Sequence, residues 1–459
     1  MSGETKDILL ARLRDGEPLG RVQQFRLVGL LALPAILAQL SSVMMQYIDT
    51  AMVGRLGSGP AASIGLVSTT TWIMFGFVIA ACTGFSVQIA HLCGAGDFKG
   101  ARSVMRQGLV SALAFSSVLA AAGVLVSASL PLWLRGDEAL APQASVYFRI
   151  YSLFLPVGAI GYAATYFLQA SGNMKVPSLL YVGMCVMDVI FNYLFIFVMD
   201  MGVAGAALGT GVSEAVTMLL ALYFVLVKSK EMAITGEKGS FRPTWKVLKN
   251  ALGITSPLWL QNIVMRGAYI MCTVIIAPLG AIAIAANTFA IAAESFCYMP
   301  GYGLEDASTT LVGQSIGARR KDMAVNFTWI AIALGAFIMG FLGILMYIFA
   351  PQLMGLLSED AAVVSLGVKV LRIEAFAEAL YAVSIIGYGA CVGAGDTLLP
   401  TALNFGSMWL VRVVLASVLT PRMGLPGYWL AMCIELNVRG LLFLGYVARG
   451  KWMNKNFTN

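Results

Sequence analysis

The sequence predicts an all-α integral membrane protein, with twelve transmembrane helices in two six-helix bundles related by a pseudo-two-fold along the membrane normal. Three observations predict this. The 459 residues are 59% hydrophobic and only 12% charged. Their apolar residues gather into runs long enough to span a bilayer. The residue pattern of the first half returns in the second at a constant offset of 223.

Composition decides the solvent. A soluble domain carries about 25% charged residues, twice the proportion here, and mean hydropathy is +0.82. Most of this surface must therefore face lipid. The net charge of +7 does not point to nucleic acid. The basic residues lie in short connections between apolar runs, where they act as topology signals. The seven cysteines form no Cys-x-x-Cys pair and sit in or beside apolar runs, so they read as small core residues. The single histidine, His91, is expected at a cytoplasmic helix end in an interfacial role.

Spans are predicted near 28–53, 62–90, 105–133, 144–169, 177–199, 203–227, 250–278, 281–313, 326–351, 366–391, 399–420 and 426–448. A span needs roughly 20 residues at 1.5 Å each. Helices are the default because backbone groups in lipid must satisfy one another. The runs are too long and continuous for barrel strands. Lys and Arg number 21 on the side holding both termini and the even-numbered connections. The opposite side has three, Arg55, Arg135 and Arg422. Both termini are accordingly expected in the cytoplasm. Residues 1–26 are too polar for a cleavable signal. The domain plan is a cytoplasmic segment at 1–26, bundles at 27–227 and 250–449, a cytoplasmic linker at 228–249, and a tail at 450–459.

The repeat holds without a gap from residue 34 to 177. Pro34 matches Pro257, Thr50 matches Thr273, and Leu56-Gly57 matches Leu279-Gly280. Gly94-Ala95 matches Gly317-Ala318, Arg149-Ile150 matches Arg372-Ile373, and Gly172 and Pro177 match Gly395 and Pro400. After one deletion, Gly202 and Gly205 match Gly424 and Gly427. Six spans per repeat return the chain to its starting side, so both halves share one topology. Such duplication belongs to transporters whose bundles rock about a central site.

Ionisable groups within spans are costly and mark function or pairing. The candidates are Asp49, Asp188, Glu214, Arg266, Glu294, Glu305, Asp306, Lys369, Arg372, Glu374, Glu378, Arg412, Glu435 and Arg439. Lys369 and Arg372 are expected to pair with Glu374 or Glu378 by helical spacing, and Glu435 with Arg439. Whether Glu374, Glu378 and Glu435 are functional or only paired stays open at this point. Asp49 has no cationic neighbour within one helical turn, and its repeat partner is Cys272. Asp188 lies midway along the fifth span, with Asn192 one turn further on the same face. A carboxyl in a water-poor cavity can take a proton from one side and release it to the other. The same three residues, Asp49, Asp188 and Asn192, could hold Na⁺. Glu294 precedes Pro300-Gly301, a pair expected to break or kink the span. Together with Gln39 and Gln261 it is the substrate-binding candidate. No His-Glu-x-x-His, Gly-x-Ser-x-Gly or histidine cluster suggests an intramembrane enzyme.

Several stretches resemble the multidrug and toxic compound extrusion (MATE) family over nearly the whole chain. They are Leu-Pro-Ala-Ile-Leu at 33–37, Asp-Thr-Ala-Met-Val-Gly-Arg-Leu-Gly at 49–57, and Gly-Ala-Gly-Asp at 94–97. Gln-Ala-Ser-Gly-Asn at 169–173, Phe-Asn-Tyr-Leu-Phe-Ile-Phe at 191–197 and Leu-Val-Gly-Gln-Ser-Ile-Gly-Ala at 311–318 follow. The resemblance implies export of organic cations and other amphipathic, drug-like compounds against inward H⁺ or Na⁺, without a cofactor or nucleic acid, by a monomer in the cytoplasmic membrane among its lipids. It also implies an ion-coupling role for Asp49. The NorM branch carries acids in the seventh and tenth spans where Met265 and Tyr381 stand here, so a DinF-like branch is the closer expectation. A flippase for a lipid-linked or oligosaccharide precursor is the alternative, although those proteins usually have fourteen spans.

Overall fold

A computed structural model describes residues 5–134 and 138–453. Arg135 and Lys455, both counted among the topology charges, lie outside the described residues. Every regular element among the described residues is helical. In chain order they are α1 (Lys6–Arg14), α2 (Arg21–Gly54), α3 (Ser58–Gly94), α4 (Phe98–Val126), α5 (Leu130–Trp133), α6 (Ala141–Ala170), α7 (Lys175–Tyr193) and α8 (Gly202–Tyr223). Then come α9 (Trp245–Ile276), α10 (Ala281–Gly317), α11 (Lys321–Leu357), α12 (Ala361–Glu374), α13 (Glu378–Gly393), α14 (Leu398–Gly406), α15 (Val414–Met423) and α16 (Leu425–Ala448). Wider π-type turns extend α7 over Leu194–Val198 and α8 over Phe224–Lys228, and Ser407–Val413 joins α14 to α15.

Eleven of these helical stretches are long and apolar enough to cross a membrane. The tenth expected span is not one rod. It consists of α12 and α13, bent by 60° about Ala375–Ala377, and counting the pair once brings the total to twelve. No proline or glycine marks the bend. The chain closes there with tight bonds, Ala377 N–H to the Glu374 carbonyl at 2.7 Å and Phe376 N–H to the Ile373 carbonyl at 3.4 Å. The protein is a multi-pass membrane protein.

Packing divides the chain into two units. One contains Leu40–Trp259. The other joins the chain up to Gln39 with the stretch from Leu260 onward. In the first, α3, α4, α6 and α8 surround a core that includes Phe85, Ile89, Met105, Phe148 and Phe167. The polar connection after α8 is tied to the start of α4. Arg102 forms an ion pair with Glu237, and Gln107 accepts hydrogen bonds from both the Thr244 backbone N–H and hydroxyl at 2.7 and 3.0 Å. In the second unit, α10, α11, α13 and α16 enclose Met346, Leu371, Trp429 and Leu436. Its N-terminal segment holds a short helix that the polar composition hides. Leu9, Leu10 and Leu13 of α1 are buried, and Arg320 donates to the Gly16 carbonyl at 2.6 Å.

The repeat is visible in each unit's own backbone. Left-handed residues recur at Gly57 and Gly280, Gly96 and Arg319, Gly172 and Gly395, and Gly202 and Gly424. Ser86 donates to the Tyr166 carbonyl at 3.2 Å in one unit. Its counterpart Thr309 donates to the Gly389 carbonyl at 2.9 Å in the other. Duplicated sequence has thus kept not only helices but the side-chain bonds that join them.

Six cysteines are buried and Cys185 partly so. His91, expected at an interface, is fully buried in the last turn of α3, because the packed helices of its unit cover that turn.

Candidate functional site

The residues predicted for ion coupling meet in the Leu40–Trp259 unit. Asp188 and Asn192 stand four apart on α7, hence on one face. The Asn192 amide donates to Asp49 Oδ1 and to Asp188 Oδ2, each at 2.9 Å, and so bridges the two acids. Asp188 is 0% and Asn192 2% exposed, whereas Asp49 is half-buried. The two carboxyls, held by one amide, also act on each other electrostatically. Two carboxylates on one amide repel each other, so a proton or a bound cation between them is favoured.

Sequence reasoning missed two further parts. Thr210 of α8 stands close enough to Asp188 to act on its carboxyl. Gly209 makes room for the amide: a Cβ there would lie 2.0 Å from Asn192 Oδ1 and 2.8 Å from its backbone nitrogen. The signal was present as Gly205-x-x-x-Gly209, the small-residue spacing that brings membrane helices to backbone contact. At Gly205 a Cβ would lie 2.7 Å from the Phe195 carbonyl.

Asp188 Oδ1 and Asn192 Oδ1 are buried without a hydrogen-bond partner. Carboxyl, amide and hydroxyl oxygens make an all-oxygen set, which fits a proton or a hard cation such as Na⁺.

The other unit holds the remaining acids. Glu435 accepts from Arg412 and from Arg439, each ion pair at 2.6 Å. The expected Glu435–Arg439 pair is present, and Arg412 makes it a triad. The expected pairing of Lys369 or Arg372 with Glu374 or Glu378 is not. Arg372 lies 5.2 Å from the Tyr347 ring centroid and donates to its carbonyl at 3.3 Å. Glu374 is two residues from Arg372 and five from Lys369 on α12, spacings that do not face each other, and Glu378 lies beyond the bend. Glu374 and Glu378 flank the bend at 0% and 1% exposure, and all four of their carboxyl oxygens lack partners. Glu294 is buried on α10, within the electrostatic field acting on both.

Pro300-Gly301 does not break α10, which runs unbroken from Ala281 to Gly317. Gly301 instead admits α11, since a Cβ there would meet Met339 Sδ at 2.6 Å. Of the glutamines grouped with Glu294, Gln39 donates to Asp306 at 3.1 Å, and Gln261 accepts from Thr401 at 3.0 Å. Neither is hydrogen-bonded to Glu294 among the described residues.

The sequence profile of the MatE family matches this chain twice, over residues 34–194 and 257–418. The two starts are 223 residues apart, the offset of the internal repeat. The chain belongs to the MatE family. MatE proteins are membrane transporters, not enzymes, and couple transport to H⁺ or Na⁺ without a cofactor. A probable multidrug resistance protein NorM from Thermotoga maritima is 26% identical over 432 residues, 92% of each chain. The multidrug resistance protein MdtK of Yersinia pestis is 26% identical over 446 residues, covering 93% of this chain and 95% of its own. Two solved structures share the fold. An outward-facing multidrug resistance MATE family transporter superposes with TM-score 0.89 at 21% identity, covering 98% of this chain and 100% of its own. A MOP superfamily transporter from Pyrococcus furiosus superposes with TM-score 0.88 at 20% identity, covering 99% and 100%.

Proposed function

We propose that this MatE protein is a multidrug exporter of the cytoplasmic membrane, working as a monomer with both termini in the cytoplasm. Organic cations and other amphipathic, drug-like molecules leave in exchange for an entering ion. The bundles 27–227 and 250–449, joined by the linker 228–249, alternate access. Asp49, Asp188 and Asn192 hold the coupling ion. The observation that carries this reading is the Asn192 amide bridging the two acids. No ion pair with Lys or Arg engages either acid among the described residues, so a mobile positive charge can do so.

H⁺ is the leading ion, because one proton on either of two acids bridged by the same amide relieves their mutual repulsion. Na⁺ is the second reading, supported by the unpartnered Asp188 Oδ1 and Asn192 Oδ1. Glu294, Gln39 and Gln261 remain the proposed substrate contacts.

Export from proteoliposomes under separately imposed pH and sodium gradients tests the reading. Proton coupling gives export under the pH gradient alone. Export indifferent to both gradients would refute ion-coupled antiport. Orientation has its own measurement. Lys238 is exposed in the linker, so Lys238→Cys is expected to resist impermeant thiol reagents in intact cells and to label after lysis. Labelling of intact cells would reverse the topology.

A further inference from the structure

Glu214, in the middle of α8, is a carboxylate that the scheme above leaves unused. No hydrogen bond or ion pair among the described residues engages it. Two small cavities of about 10 Å³ each flank it, each with room for about one water molecule. One is lined by Tyr162, Thr165, Tyr181, Met184 and Thr217, the other by Phe75, Val78, Tyr151 and Leu155, with Glu214 facing both. The carboxylate leans on a glycine: a Cβ at Gly158 would lie 2.9 Å from Glu214 Oε2.

Its place relative to the coupling acids is fixed by helical spacing. Thr210, which acts on the Asp188 carboxyl, is one turn before Glu214 on the same face of α8. The separation along the axis is about 6 Å. Met184, one turn before Asp188 on α7, lines the first cavity. Beyond Glu214 the polar line continues through Thr217 to Thr165 and Tyr181, whose hydroxyls lie 3.3 Å apart. Thr165 and Tyr181 lie towards the α6–α7 connection, on the side assigned to the cytoplasm. Asp49, Asn192, Asp188, Thr210 and Glu214 therefore form one polar line through this unit, with water-sized space at its inner end.

The groups facing Glu214 are few. From α6 come the phenols of Tyr147, Tyr151 and Tyr162, all within its electrostatic field. Asp188 acts on it from α7, where Tyr181 also lines the cavity. Asp49 of α2 shares Tyr147 as a neighbour. From α3 come Phe75 and Val78, neither ionisable. No lysine or arginine is among them. A carboxyl so placed is either a costly ornament or a station for a positive charge.

We propose that Glu214 is the inward proton station of this unit, accepting the coupling proton from Asp188 and releasing it towards the cytoplasm. The O–H bond on Asp188 breaks and an O–H bond forms on Glu214, with the Thr210 hydroxyl on the same face of α8 between the two acids to take up one proton and give up its own. Glu214 then returns a proton to water on the Thr165–Tyr181 side. Nothing is oxidised or reduced. The inference rests on the coupling role proposed for Asp49 and Asp188.

The test compares Glu214→Gln, Glu214→Asp, Gly158→Ala and Asp49→Asn in proteoliposomes under an imposed pH gradient. Infrared pH titration of the purified proteins accompanies it. Glu214→Gln should bind substrate yet export at the uncoupled background, and should lose one protonated-carboxyl band. Glu214→Asp should recover part of the rate with a displaced pH profile. Gly158→Ala, which pushes only the tip of a flexible side chain, should also displace the profile. If Glu214→Gln itself fails to fold, the Glu214→Asp and Gly158→Ala pH profiles decide. Wild-type pH profiles for the Glu214 and Gly158 variants, alongside a dead Asp49→Asn, would overturn the station and leave the proposed function standing. A wild-type Asp49→Asn would overturn the coupling role proposed for Asp49, on which the station rests, instead.

Discussion

Asp49→Asn is expected to abolish gradient-driven export while leaving a folded, membrane-inserted protein that still binds substrate. The amide has the shape of the acid. Its carbonyl oxygen can accept the bond from Asn192 that Asp49 Oδ1 accepts now at 2.9 Å. Its amide carries no charge at any pH, so the repulsion from Asp188 that a bound proton relieves is removed permanently. The site is then locked in the arrangement that protonation normally makes temporary. A ligand shifts a two-state equilibrium only through its differential affinity for the two states. An asparagine that never releases its hydrogen offers no such difference. Asp49→Glu keeps a titratable group on a longer stem and should retain part of the rate at a displaced pH optimum. The measurement is substrate efflux from proteoliposomes against pH, beside substrate binding in detergent. Wild-type efflux by Asp49→Asn would move the coupling role to Asp188.

Glu435→Gln should produce the largest loss of stability of any conservative change considered. Glu435 is 0% exposed, and its one carboxylate is ion-paired with two guanidinium groups. Removing the charge strands Arg412 and Arg439 in the interior of their unit. Breaking a buried ion pair from one side costs about 3–5 kcal/mol, a large share of the about 5–15 kcal/mol that holds a typical domain together. Little folded protein should be recovered, and the remainder should unfold at a much lower temperature in detergent. The informative contrast is the triple replacement Arg412→Met, Glu435→Leu and Arg439→Met. It removes all three charges and should lie near wild type in stability. If Glu435→Gln melts like wild type, the triad is hydrated and its burial has been misjudged.

How much of this was legible in the sequence differs by feature. The spans were, because apolar length is what lipid selects. The repeat was, because Pro34 and Pro257, or Gly57 and Gly280, impose backbone conformations that few residues share. Asp49, Asp188 and Asn192 were found as unpaired polar groups, and their meeting follows from the Gly205-x-x-x-Gly209 contact beside them. The 60° bend between α12 and α13 was not legible, since no proline or glycine stands there and hydropathy is blind to direction. Glu374 shares α12 with Lys369 and Arg372 but stands five and two residues from them, spacings that do not face each other, and the bend lies between it and Glu378. The helix at Lys6–Arg14 was hidden for a related reason: three buried leucines in a charged stretch do not announce what they pack against. Glu214 was visible as an in-span acid. Its worth depends on cavities formed by residues from α3, α6 and α7, a long way off in sequence.

The matched left-handed turns at Gly96 and Arg319 bear on how a duplicated gene diverges. Both turns need a positive φ, 73° and 59°. Glycine adopts it freely, whereas a residue with a Cβ gives up about 1–2 kcal/mol. One copy of the loop has the relaxed residue, and the other has a cation beside Arg320 and Lys321. In the second copy a charge available to membrane insertion therefore stands where the turn folds less easily.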